Sequence, residues 1–351
     1  DAGPETVFNV QIEEVGGAFS GTMQEPNLMH PGHGPVANAD IEGTRGTGVE
    51  GGTGVQILAS DTSTITATAN AVSFAVAVGV GGAGAISLSK ATNSVDNSVL
   101  AYATSAKITT TTGGLTITAT EKATITTTAT ASSAGFSVLV STAGSGASAS
   151  STITTTTRAY ADPVELGVAG DVAINAVATG SATTRTYGTA SAAGLIAIAA
   201  AVTRATSTVT PTVESRIGGY GDATRVVQAG GDIVVGSTLA GSATARAEGG
   251  SDAFGLGVAV GDTTATASIR PAVAGEAMVK SSISGGTVRS TGGGINVKTV
   301  FNTDKDGKVV NGSGATATAY AAAGGLIASS GATATATETP YLDAFVDSDA
   351  T

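Results

Sequence analysis

The amino-acid sequence predicts an all-β fold, a β-solenoid (β-helix) of five repeats preceded by an irregular N-terminal arm. Three observations support this prediction: a repeat of about 57 to 62 residues, apolar–polar alternation with a period of two, and an abundance of small residues. A repeat of this length indicates an array in which each unit mainly contacts its neighbours.

Each repeat begins with a short β-branched segment, usually directly after Gly-Gly or Gly-Asp. The openings lie at Val55, Leu115, Val172, Ile233 and Ile295. We therefore divide residues 51–351 into repeats 55–114, 115–171, 172–232, 233–294 and 295–351. A Gly-punctuated apolar run follows in each repeat, at 74–84, 134–144, 192–201, 253–261 and 321–331. We expect each second half to contain a turn, at Asp96-Asn97, Pro163, Pro211, Pro271 and Pro340.

The local alternation indicates strands rather than helices. Thr116, Thr118 and Thr120 alternate with apolar residues, and similar threonine rows occur at 64–68, 152–156 and 333–337. Alternation of this kind places one set of side chains inward and the other outward on a pleated strand. Thr, Val and Ile also favour strands over helices.

The composition predicts a thin core. The chain has 50 glycines, no tryptophan and only 4% aromatic residues, so large side chains cannot fill a thick interior. Two layouts remain open from the sequence. A repeat could form three rungs of about 20 residues, or it could form one wide coil of long strands and so a short flat slab.

Residues 1–50 differ from the rest and form a separate N-terminal arm, a strand plus a Gly/Pro-rich segment. They contain four of the eight prolines and both histidines. The arm could cap the first rung, act as a linker, or reach a neighbouring subunit. Because the chain begins with Asp1, we expect a processed or excised part of a longer product.

Charge and cysteine content exclude several classes of function. The net charge of -11 disfavours a nucleic-acid binder and a polybasic membrane binder. The absence of cysteine excludes disulfides and thiol chemistry. The apolar run 71–86 is interrupted by glycines and recurs beside threonine tracts, so we predict no membrane span.

The candidate chemical groups are few, and we assign no catalytic, cofactor-binding or metal-binding residue. His30 and His33 could share a metal, but no carboxylate lies close in sequence, which favours an ordinary loop. Asn302, Asp304 and Asp306 resemble the start of a calcium loop. Ser313 stands where that loop needs a bidentate Glu, so a turn is favoured.

The remaining acids are scattered, and we interpret them as turn formers; they include Asp61, Asp171 and Asp232. Paired carboxylates for glycoside hydrolysis cannot be assigned. The sequence therefore predicts that the chain is not an enzyme.

The repeats also resemble a known kind of protein. Their openings, at Gly54-Val55, Gly231-Asp232-Ile233 and Gly294-Ile295, together with the apolar runs, resemble repeats of very large bacterial surface proteins of the haemagglutinin or adhesin kind. The resemblance covers about residues 51–351. It implies a parallel β-helical stalk, export to the cell surface or extracellular space, and an adhesive or scaffolding role, and it transfers no site residues.

Three functions follow as hypotheses. The first is a structural, non-enzymatic subunit or segment of an extracellular fibre, stalk or sheath, which joins other copies of itself end to end into filaments. The second is an adhesin module that binds a glycan or a host protein. The third is an ice- or surface-binding solenoid that uses the threonine rows, although charged residues such as Arg158 and Arg185 interrupt those rows.

Overall fold

A computed structural model gives the fold. It describes the backbone of four strands within residues 5–51, and it describes residues 54–350 except 79–80, 164, 219–224, 305–306, 311 and 348–349. Strands dominate the described residues, which contain no helix. Thirteen of the described strands form one sheet and six short strands form a second. The prediction of an all-β, solenoid-type fold is confirmed.

The strands of the described chain are β1 (Glu5–Glu14), β2 (Gly17–Phe19), β3 (Val36–Glu42), β4 (Gly48–Gly51), β5 (Val55–Ala77), β6 (Gly82–Thr104), β7 (Lys107–Thr110), β8 (Leu115–Ser137), β9 (Val140–Asp162), β10 (Glu165–Val168), β11 (Val172–Ile217), β12 (Val226–Ala229), β13 (Ile233–Ile269), β14 (Val279–Ile283), β15 (Thr287–Ser290), β16 (Ile295–Phe301), β17 (Gly314–Gly324), β18 (Ile327–Glu338) and β19 (Leu342–Val346).

Each turn of the solenoid is one wide coil rather than three short rungs. β8 runs out as a first arm, β9 returns as a second arm, and the short β10 leads to the next coil. Both arms have 23 residues and therefore span about 75 Å. In the third and fourth coils, β11 and β13 each contain both arms.

Successive coils pair in parallel and in register at their openings. Val55 pairs with Leu115, Leu115 with Val172, Val172 with Ile233, and Ile233 with Ile295. We call the coils that open at these residues levels 1 to 5. Neighbouring strands lie about 4.8 Å apart, so the levels build a flat slab. The number of sequence repeats and their outer limits stay a prediction.

The core between the two arms is thin and thins further toward the tip, where the arms meet. Ile117, Ile125 and Ile153 are fully buried nearer the base, whereas the buried apolar side chains near the tip are alanines such as Ala192 and Ala197. At the tip, a Cβ on Gly135 would lie 2.5 Å from the Thr142 carbonyl oxygen. Small residues are therefore required where the arms approach each other, as the composition predicts.

Two of the expected turns are wrong. Asn97, Thr155 and Pro211 occupy one register position inside the strands β6, β9 and β11. Pro211 still has a consequence, because it cannot donate a backbone hydrogen bond. The Val209 carbonyl accepts from Arg270 N (3.2 Å), and Val213 N donates to the Met278 carbonyl (2.9 Å). The missing donor thus faces level 4, where pairing is interrupted between β13 and β14.

The two ends of the slab differ. On level 1, β1 pairs antiparallel with residues 55–64 of β5, and β3 pairs parallel with residues 98–104 of β6. This pairing is the arrangement expected of a capping arm. On level 5, within the described residues, no strand pairs with the outer edge of β17 or β18. The core is open there, and a cavity of about 470 Å³ lies among apolar side chains that include Ile283, Val297 and Phe345.

Candidate functional site

Among the described residues, an extended apolar surface lies on the outer side of the second arm, next to the tip. We call it the apolar tip face. Its side chains are 37–76% exposed and come from all five levels: Ile86, Leu88, Val140, Ile196, Ile198, Val202, Leu256, Val258, Val260 and Ile327. It arises because the Gly-punctuated runs are apolar at both alternating positions, with alanine facing inward and larger residues facing outward.

The register stacks these outward side chains in columns across the levels. Ile198 lies between Thr142 and Val258, and Val258 pairs with Ile327. Contiguous apolar surface of this kind on a soluble protein usually marks an interaction site.

Glycine shapes a groove in this face. A Cβ on Gly146 would lie 2.8 Å from Leu88 Cδ2, so the exposed Leu88 side chain would have to shift if this residue were larger. The groove between Leu88 and Val202 has a volume of about 340 Å³, and Lys90 and Arg204 border it. On level 4, the exposed Asp262 pairs in register with Val202, so the column of Leu88 and Val202 is not apolar on every level. Beyond Lys90 and Arg204, the outer face becomes polar, with a column that contains Thr92, Ser150, Thr206, Thr266 and Thr335.

On the outer face of the first arm, level 1 carries a run of exposed apolar side chains that includes Phe74, and single aromatic side chains are exposed on levels 2, 4 and 5, namely Phe136, Phe254 and Tyr320. Phe74 is 67% exposed, and its ring centroid lies 5.6 Å from that of Phe136. The residues in register with Phe74 on the next levels are Ala134, Ser191 and Asp252. The two outer faces of the slab therefore differ in polarity.

A second unusual site is a pair of carboxylates inside the slab. Asp61 on β5 pairs in register with Glu121 on β8, and both point into the core, with 2% and 1% exposure. Asp61 Oδ2 accepts from Ser63 Oγ (3.0 Å) and from Asn97 Nδ2 (2.5 Å). Glu121 Oε2 accepts from Thr157 Oγ1 (2.8 Å). Their other oxygens, Asp61 Oδ1 and Glu121 Oε1, are buried without a hydrogen-bond partner.

The environment of these carboxylates disfavours their charged forms. Burial raises the pKa of Glu121 from its ordinary value of 4.5 to about 7; the charge of Asp61 adds to the increase, and hydrogen bonds from Thr157 and Thr155 oppose it. Burial also raises the pKa of Asp61 above its ordinary value of 3.8, against hydrogen bonds from Ser63 and Asn97. Because the charges lie on neighbouring strands, they repel each other in a poorly solvated region.

The interpretation of Asp61 as a turn former is wrong, because it lies in the middle of β5. Asp171 and Asp232 do act at turns: Asp171 Oδ1 accepts from Asp232 N (2.8 Å), and Asp232 Oδ1 accepts from Gly294 N (2.7 Å). The sequence signal that separates the two cases is the alternation, since Asp61 and Glu121 fall in the inward phase of a strand.

Only two of the metal candidates named from the sequence, Asn302 and Asp304, lie within the described residues. His30, His33 and Asp306 lie outside the described residues. Asn302 Oδ1 accepts from Gly241 N (2.7 Å) and so connects the turn to β13 of the neighbouring level, whereas Asp304 Oδ1 accepts from Lys308 N (3.0 Å) within the turn. Among the residues that the structure describes, no three His, Cys, Asp or Glu side chains gather as a metal cluster.

The described part of the chain also contains no helix that is long and apolar enough to cross a membrane. The fold defines the class of protein as a β-solenoid with wide, flat coils. Comparison with protein-family models, with curated proteins and with solved structures found no match to the chain.

Proposed function

We propose that the protein is a structural, non-enzymatic segment of an extracellular or cell-surface fibre, stalk or sheath, and that copies of it associate with each other. The observation that carries this proposal is the apolar tip face, which repeats the same kind of outward apolar side chains on successive levels. The function lies in an extended surface on a stiff support, as is common in solenoids.

The size of the apolar tip face suits a second copy of the chain. Four columns of alternate residues span about 23 Å along the strands, and five levels span about 24 Å, which gives about 500 Å² per copy. Two such faces would bury about 1,000 Å², the lower limit for a specific interface. A flat sheet face can pack on an identical face at about 10 Å, as paired sheets do in sandwiches.

The ends of the slab offer a second contact, in line with the stack. In the described chain, the outer edges of β17 and β18 are unpaired, and on level 1 the pairing with β1 and β3 leaves the tip halves of β5 and β6 open. Unpaired parallel edges are templates for further strands. The strands β17 and β18 of one copy can therefore pair with the open tip halves of β5 and β6 of the next copy, beside the parts of level 1 that β1 and β3 cover.

The decisive experiment combines electron microscopy and light scattering of the purified chain across a concentration series. The variant Ile198→Ser/Val258→Ser makes the centre of the apolar tip face polar, and Thr206→Ser/Thr266→Ser is the matched control on the same arm. We expect concentration-dependent assemblies for the wild type and the control, and smaller species for the first variant with unchanged circular dichroism.

Monomeric slabs at every concentration would contradict the proposal. Flotation of the protein with phosphatidylcholine vesicles, lost in the Ser variant, would assign the apolar tip face to lipid instead of a second copy.

A further inference from the structure

The buried carboxylates of Asp61 and Glu121 are not needed to form the core of the slab. At the register position of Asp61 and Glu121, levels 3 and 4 carry Ala178 and Leu239. On the facing arm, Thr157 is likewise followed by Val213 and then Val279. The same backbone thus accommodates an ordinary apolar core, and the polar groups are confined to levels 1 and 2.

These groups surround one small region from both arms. Asp61 and Ser63 lie on β5, Glu121 on β8, and the facing arms contribute Asn97, Thr155 and Thr157, all less than 9% exposed. Asn97 Nδ2 also donates to Ser63 Oγ (2.7 Å), which ties the two arms together. The Asn97 side-chain nitrogen therefore faces the site, because it donates to both Asp61 Oδ2 and Ser63 Oγ.

The region lacks a positive charge in the described structure. Neither carboxylate takes part in an ion pair there, and each has one oxygen that is buried and without a hydrogen-bond partner. Burying two charges without a counter-charge costs far more free energy of desolvation than burying one hydrogen-bonded polar group. A bound cation would satisfy both free oxygens at once.

We propose that Asp61 and Glu121, with the hydroxyl oxygens of Ser63, Thr155 and Thr157, form a buried binding site for a divalent cation of the calcium type. Two carboxylates balance its charge. These five side chains offer only oxygen ligands, which suits Ca²⁺ with its six to eight flexible oxygen ligands better than Zn²⁺, which favours nitrogen and sulfur. Because the site is closed, the cation binds as levels 1 and 2 fold and links them.

The test is metal analysis and thermal unfolding of the full chain. The protein is unfolded in denaturant with EDTA, refolded at pH 8 with or without 1 mM CaCl₂, desalted, and analysed by inductively coupled plasma mass spectrometry. We expect one calcium per chain and a higher unfolding midpoint after refolding with calcium. The variant Asp61→Asn/Glu121→Gln, which keeps side-chain size, should lose both effects.

The matched control is Asp304→Asn/Asp306→Asn, which removes two acids of the 302–307 turn. It should keep the bound calcium and the shift in midpoint. Loss of calcium in this control alone would place the ion at the turn and overturn the proposal. The proposal would also be overturned if the wild type refolded without metal and had the same unfolding midpoint in calcium and in EDTA. A proton on one carboxylate, and not a cation, would then neutralise the buried charge.

If the double variant does not fold, calcium stoichiometry in the single variant Glu121→Gln gives the answer. A loss of affinity of at least tenfold is expected there, and unchanged affinity would contradict the proposal.

Discussion

The buried carboxylate of Glu121 predicts how stability depends on pH when divalent cations are removed by EDTA. Its pKa is raised from 4.5 to about 7 in the folded state, so the folded chain binds this proton more tightly than the unfolded chain. The stability that this proton provides is complete below pH 4.5 and is lost as the pH rises to about 7. A change of that size in pKa corresponds to about 3 kcal/mol.

The perturbation that isolates this effect is Glu121→Gln, which keeps the shape of the side chain and cannot ionise. Asp61 is the charged group that faces Glu121 from the neighbouring strand, and Thr155 and Thr157 face it from the second arm. We expect the wild type to lose about 3 kcal/mol of unfolding free energy between pH 4.5 and pH 8 from this group. The variant should lose much less, and it should be the more stable protein at pH 8.

The assay is guanidinium unfolding followed by circular dichroism at several pH values, with hydrogen exchange to localise the effect. Unfolding of a repeat array need not be two-state, so protection of the amides in β5 and β8 gives the local free energy. Glu276→Gln, at an exposed loop position, is the control and should follow the wild type. Equal pH dependence of the wild type and Glu121→Gln would refute the reasoning.

Three further predictions concern the fold itself. Ile125→Ala removes a fully buried side chain and should cost about 2–5 kcal/mol in denaturant unfolding, whereas the outward Thr126→Ala should change stability by about 0.5 kcal/mol or less. Gly255→Ala places a Cβ 1.9 Å from the Gly194 carbonyl oxygen, at a residue whose φ is 108°, so the midpoint of thermal unfolding should fall. The control Gly250→Ala has open space around the added Cβ and should leave this midpoint close to that of the wild type. Arg225→Ala breaks the ion pair with Asp162 and leaves the Pro163 carbonyl without its donor (3.1 Å), which should cost about 1–3 kcal/mol by chemical unfolding.

Much of the architecture follows from local sequence signals. The alternation at 115–120 puts Leu115 and Ile117 in the core and Thr116 and Thr118 outside, as observed. The openings, such as Val55 and Leu115, pair with each other because identical patterns on neighbouring levels bury the same face. Coil width could not be predicted, because few turn residues mark the corners and the arms meet at ordinary Gly-rich segments.

The two unusual sites were harder to predict for different reasons. Asp61 and Glu121 are 60 positions apart, so only the parallel register brings them together, and the facing Asn97 belongs to a segment expected to be a turn. The apolar tip face comes from the Gly-punctuated runs, which the sequence reveals clearly. Their outward residues could not be told from core residues, because both alternating positions are apolar.

The width of the coil determines what a stack of these chains can build. A level uses about 60 residues to advance about 4.8 Å along the axis, or about 0.08 Å per residue, whereas an extended strand advances about 3.3 Å per residue. A stack of these coils therefore gains little length for each residue that it contains. It gains a large surface area instead, because every level adds a strip about 75 Å broad to each side of the slab. Copies joined through their ends would give a broad ribbon with one largely polar and one partly apolar surface, which can wrap or tile a surface more readily than it can project from one.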